Sequence, residues 1–244
     1  VAKKSLIDID GRLNKALEIA RREGQNVRIS EYEITFDPIS NRHNKIPHQI
    51  RNRLEDLFYL VREDPQQVIP ELLSLKEAHP NTPVIYNLLS GAYSRIGDNK
   101  AVGELVEENY RRNPDYLFAK INYAQFCLHT GDFDKIPEIF EGKYDLKLLY
   151  PRRKKFHVSE FAGFTAVMCA YLSVIGHKET ARLFYDGLLA VAPDSELVLF
   201  AKRFFKPSLL GRLRLWAQKK GRIKEDVDGA DDRPPSDDES WFSA

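Results

Sequence analysis

From residue 49 to about residue 192 the apolar positions recur at three- and four-residue spacing, the pattern of helices that each bury one face. Ile50, Leu54, Leu57, Phe58 and Val61 line one such stripe, and Pro65 opens the next helix, where its missing N–H costs nothing. The pattern continues as helical pairs: 49–64 with 65–80, 82–97 with 98–114, 115–131 with 132–142, and 160–176 with 177–193. Residues 143–159 interrupt the series as an insertion, and 194–205, capped by Asp194 or Ser195, closes the open end. Ahead of this region, Leu6, Ile9, Leu13, Leu17 and Ala20 predict a helix over 5–22. Residues 27–36 alternate loosely, in the manner of a short strand or extended arm, and a lone strand needs a partner to persist. Residues 40–45 are a polar linker, so 1–47 form an N-terminal extension of helix plus arm.

The pairs keep a period. The step from Pro80 to Pro114 is 34, as is the step from Gly97 to Gly131, while Gly131 to Gly176 is 45. Pro114 to Pro193 is 79, so one insertion of the same size restores the register of both landmarks. Such a period predicts an all-α fold built from stacked units, each needing its neighbours to bury its apolar face.

Charge is distributed unevenly towards the C-terminal end. The net charge of +1 argues against capture of nucleic acid by the whole protein, yet residues 206–224 carry seven Lys or Arg and no acid. Residues 225–244 carry eight acids and one Arg, with too little apolar content to fold alone, so a disordered acidic tail is expected. Two cysteines, Cys127 and Cys169, make neither a disulfide framework nor a zinc site, which favours a reducing, cytoplasmic setting. A bilayer crossing takes an unbroken apolar run of about 18 residues or more, and the chain has none, so no membrane span is expected. The first residues lack the apolar core of a signal peptide; the chain starts at Val1 with Met168 its only methionine, so a leader already removed stays compatible.

Helix, Gly-Asp turn, helix and proline, repeated at this interval, resembles the tetratricopeptide (TPR) family. The unit from Leu117 carries the resemblance in Tyr123, Ala124, Cys127, Gly131, Phe133, Ile136 and Phe140. The unit from Ala162 does so in Met168, Cys169, Leu172, Gly176, Ala181, Tyr185, Leu188 and Pro193, and the unit from Pro83 in Leu89, Ser90, Tyr93, Gly97, Val102, Val106 and Pro114. The unit from Gln49 is more degenerate: Tyr59, Val68, Leu72, Leu75 and Pro80 fit, whereas Glu55 stands where an apolar residue is usual. The resemblance covers about 49–193, more than half of the chain, and Lys143 departs from it. It implies an α-solenoid of about four helical hairpins, spanning 48–205 with its capping helix. Physically, small residues (Ser90, Ala124, Cys169) let paired helices approach, the three glycines permit left-handed helix ends, and Asp98 and Asp132 cap the helices that follow.

No catalytic constellation stands out among the motifs, so a non-catalytic adaptor or scaffold is expected, without cofactor, metal or small-molecule substrate. The resemblance implies a concave groove for a protein or peptide segment. Its lining would comprise Asn87, Gly91, Ser94, Arg95, Phe118, Ile121, Asn122, Gln125 and His129, with Arg53, Leu57, Ala166, Ala170, Ser173 and Val174 beyond. Asn and Gln suit a peptide backbone, and Phe118 with Ile121 an apolar side chain. The paired basic and Asn residues with which some TPR proteins clamp a chaperone's C-terminal carboxylate are missing; only Asn122 matches. A second reading uses two basic patches, Arg152, Arg153, Lys154 and Lys155 in the insertion, and Arg212, Arg214, Lys219 and Lys220 in the amphipathic segment. They would meet an anionic membrane or nucleic acid, with the acidic tail competing intramolecularly.

Overall fold

A computed structural model of the chain describes residues 32–37 and 47–220; the helix expected over 5–22, the polar linker and the acidic tail lie outside the described residues. Eleven helices and two three-residue strands occur among them, so the all-α expectation holds. The described residues fall into two compact units, 47–126 and 32–37 with 127–220, divided within one helix.

The first unit contains α1 (His48–Glu63), α2 (Pro65–Ala78), α3 (Pro83–Arg95), α4 (Asn99–Arg112) and the start of α5 (Leu117–Thr130). Local chemistry marks where these helices begin. The Asp64 carboxylate accepts from the Gln67 N–H at 3.1 Å just before Pro65, and Asp98 accepts from Ala101 N–H at 2.9 Å. Helices α1 to α4 pack each on the next, and α1 also packs on α3. Leu57, Leu72, Ile85, Tyr86 and Leu89 fill the core between them.

The second unit holds α6 (Lys135–Ile139), α7 (Leu146–Leu149), α8 (Val158–Ile175), α9 (Lys178–Val191), α10 (Glu196–Phe205) and α11 (Leu209–Lys219). Here too α8 packs on both α9 and α10. As a whole helix α8 is 18 residues long and apolar enough to cross a bilayer by length and composition, although its apolar residues are not unbroken. It is 72% buried inside the protein, the environment of a core helix.

Three turns are built alike. Gly97, Gly131 and Gly176 have φ of 81°, 86° and 98°, and the next residue's N–H reaches the carbonyl five back. The bonds are Asp98 to Tyr93, Asp132 to Cys127 and His177 to Leu172, at 3.0, 2.8 and 2.9 Å. This left-handed closure satisfies helix-end carbonyls and favours a residue without a Cβ.

The helix expected over 132–142 is where the structure differs. Only Lys135–Ile139 is helical, because Pro137 removes a donor and Glu141 and Gly142 both turn left-handed. Asp132 therefore does not cap it as expected; its carboxylate accepts from the Thr130 hydroxyl at 3.2 Å instead. The chain then continues as α7, whose Asp145 cap accepts from Lys147 N–H and Leu148 N–H.

The insertion also supplies the partner that the N-terminal arm lacked. Strand β1 (Glu33–Thr35) pairs in parallel with β2 (Lys155–His157), Ile34 opposite Phe156. Tyr32 packs edge-on against Phe156 at 5.1 Å, and burial, with Asp145 nearby, pushes its phenol pKa well up. Two segments, each too short to persist alone, are held together by an aromatic core.

Candidate functional site

Of the groove residues expected on α3 and α5, five prove buried. Asn87, Ile121, Asn122 and Gln125 are each at most 5% exposed, and Gly91 is buried with them. This corrects their placement on an open surface, and the asparagines show the reason. The Asn87 Oδ1 accepts from Asn109 Nδ2 at 3.2 Å and from Asn122 Nδ2 at 3.1 Å, filling both lone pairs. Asn109 in turn accepts from Asn113 Nδ2 at 2.9 Å and donates towards the Pro83 carbonyl at 3.4 Å. A ladder of amides thus ties α3 to α4 and α5. A peptide backbone would have to displace bonds already made in a low-dielectric setting.

Ser94, Arg95 and Phe118 remain half-buried, and His129 is exposed. Arg53 is engaged by a two-pronged bond to Glu71 on α2, at 2.6 and 2.7 Å. Leu57, Ala166, Ala170 and Val174 are buried core, and the Ser173 hydroxyl donates to the Cys169 carbonyl. Burial pushes the Cys169 thiol up to about 12, so it is uncharged at neutral pH and packs as a small apolar residue.

Beside the ladder lies a second polar hub. Glu108 of α4 receives Lys76 of α2 at 2.6 Å, Arg112 at 2.7 Å and the Tyr86 hydroxyl of α3 at 3.3 Å. Burial alone would raise this carboxyl, but the hydrogen bonds from Lys76 and Arg112 outweigh it and the pKa is lowered. A depressed carboxyl stabilises the fold fully above the unfolded value near 4.5, and that contribution falls away as pH drops through the folded pKa. Glu108→Gln should therefore cost stability at pH 7 but little once wild-type Glu108 is itself protonated. Urea melts of both proteins at neutral and acidic pH check this; a gap that stays constant rejects it.

The basic run in the insertion divides. Arg152 and Lys154 are exposed, and Lys155 pairs with Glu33 at 3.0 Å across the strands. Arg153 is not a surface cation. Its guanidinium lies 4.2 Å from the Phe156 ring centroid and 5.5 Å from that of Tyr150. It grips Glu160 with two bonds, 2.9 and 2.6 Å, and Glu160 is 3% exposed. The same carboxylate accepts from His157 N–H at 2.9 Å, closing a capping box at the start of α8. The expectation that all four cations await an anionic partner is corrected for Arg153, which is committed internally. Arg212, Arg214, Lys219 and Lys220 of the C-terminal patch are all exposed.

Sequence reasoning gave no role to Glu160, His157 or the Asn87–Asn109 pairing. The S-E-F start of α8 resembles any helix opening, and the partners that matter are spatial rather than sequential. No protein-family model matches the chain, and no curated protein or solved structure is detectably similar to it.

Proposed function

We propose that the chain is a TPR-like α-solenoid of about four helical hairpins and acts as a non-catalytic scaffold that holds a protein or peptide segment. The observation that carries this reading is the threefold recurrence of one turn, at Gly97, Gly131 and Gly176, in register with the sequence period. Contacts between a helix and the next but one, α1 with α3 and α8 with α10, support this reading, since stacked hairpins make contacts of that kind. Stacking of this kind leaves one helix of each hairpin to line an extended surface, which suits a polypeptide ligand better than a small molecule. With Asn87, Asn122 and Arg53 engaged, the contact residues in the first unit narrow to Ser94, Arg95 and Phe118: a hydroxyl, a cation and an aromatic ring.

The test is photo-crosslinking from single positions in the full chain. A crosslinker at Arg95 or Phe118 should capture a partner that one at exposed Glu104, on α4, does not. Equal capture from Glu104, or capture that survives Arg95→Glu with Phe118→Ala, rejects the surface.

A further inference from the structure

We propose that α11 is an interfacial helix that docks this protein on an anionic lipid surface. Leu209, Leu210, Leu213 and Trp216 are 78%, 79%, 64% and 48% exposed, although they are among the largest apolar side chains in the segment. Leu209, Leu213 and Trp216 follow one another at i, i+4 and i+7, a single stripe along the helix, and Leu210 widens it. Arg212 and Lys219 border the stripe on one side and Arg214 on the other; Lys220 lies 4.7 Å over the Trp216 ring.

The helix is seated at its C-terminal end and along the side of Gly211, Leu215 and Gln218, while buried Ala217 flanks the stripe itself. Ser208 caps it by accepting from Gly211 N–H at 3.2 Å, Ala217 and Gln218 are buried, and Gln218 Nε2 donates to the His129 carbonyl at 3.1 Å. The Gln218 side chain lies close against the place a Cβ on Gly131 would take, so the glycine turn that ends α5 also forms the seat for α11. Because the helix is already formed, binding need not offset the cost of ordering it, which an isolated 11-residue peptide would face.

The pattern of charge selects the occupant. A second copy offering the same face would set Arg212, Lys219 and Lys220 against their own kind, and residues 206–224 contain no acid to separate them. A polypeptide groove would need acids placed at both borders of the stripe. Anionic headgroups are mobile and meet cations wherever they fall, while the leucines enter the acyl boundary and Trp216 rests at headgroup depth. The eight acids of 225–244 follow directly in sequence and compete for the same cations at high effective concentration, which makes docking adjustable.

The full chain, in a Trp241→Phe background so that Trp216 reports alone, would be titrated with phosphatidylcholine vesicles with and without phosphatidylserine. Tryptophan emission should shift to the blue, and the protein should sediment, only with phosphatidylserine present. Affinity should fall as salt rises. Leu210→Glu with Leu213→Glu should abolish binding with helix content unchanged, since both side chains are exposed. Arg212→Ala with Lys219→Ala should weaken it on the order of tenfold or more. A full-length form with the eight tail acids made amides should bind more tightly than wild type and serves as the sensitive control. Absence of binding by both forms overturns the proposal, as does binding that survives the leucine substitutions. A dimer, or an oligonucleotide complex without vesicle binding, that those substitutions dissolve would also overturn it and assign the face to that occupant instead.

Discussion

Arg153→Ala should destabilise the second unit by about 3–5 kcal/mol, the cost of leaving a buried carboxylate without its counter-ion. Glu160 is 3% exposed and held by two guanidinium nitrogens of Arg153, which covers it from a half-buried position. The loss extends beyond one ion pair. Arg153 also covers the Phe156 ring and donates to the Lys155 carbonyl at 3.3 Å, within the strand that receives β1. Urea unfolding should show a lower midpoint, and hydrogen exchange should show early loss of protection at Glu33, whose N–H bonds the Lys154 carbonyl at 2.9 Å. Arg153→Met with Glu160→Gln should recover most of the loss, because the glutamine still accepts from His157 N–H and no charge is left buried. A single substitution that costs less than about 1 kcal/mol would show the pair to be solvent-screened like a surface bridge.

In the first unit the largest effect is expected at Asn87. Asn87→Leu comes close to keeping the shape but removes the acceptor shared by Asn109 and Asn122, and both amides lie in the interior. With a buried unsatisfied donor costing about 1–3 kcal/mol, the substitution should cost about 2–4 kcal/mol, since Asn109 retains its long contact to Pro83. A double-mutant cycle with Asn122→Leu separates bond loss from shape: a coupling of about 1 kcal/mol or more is expected for residues in one network. Additive effects would mean that the two side chains do not share a bond. The result also bears on function. If Asn87→Leu leaves stability unchanged and abolishes partner capture, the amide faces a ligand after all.

Several parts of the architecture are legible in the sequence because the signals are local. Pro65 and Pro83 open helices, Asp98 caps one, and Gly97, Gly131 and Gly176 end three, each through backbone geometry that neighbouring residues dictate. Other features of the same type mislead. Asp132 follows a left-handed glycine as Asp98 does but caps no helix, since Pro137 and the left-handed pair after it cut short the helix it would have capped. Gly103 carries no visible signal, yet the Phe126 ring occupies the space a Cβ there would take, so close packing of α4 and α5 depends on it.

The surface is harder to read than the fold. A polar residue on the expected face of a helix predicts a ligand contact only if no other helix claims it first, and Asn87 and Asn122 claim each other. A cation in a basic run predicts a patch only if no internal carboxylate claims it, and Glu160 claims Arg153. Both outcomes depend on partners between 7 and 35 residues away, at distances no local pattern encodes.

The helical period, most of the places where helices start and stop, and the amphipathic character of α11 are readable in the sequence, because they follow from side chains within a turn or two of each other. Which polar groups face one another and which face water was settled by the packed fold. Packing joined Glu33 to Lys155 across 122 residues, buried Glu160 beneath the half-buried Arg153, and turned the leucines of α11 outward. The physical reason is that hydrogen bonds and ion pairs act through space over a few ångströms, and burial is a property of everything packed around a side chain.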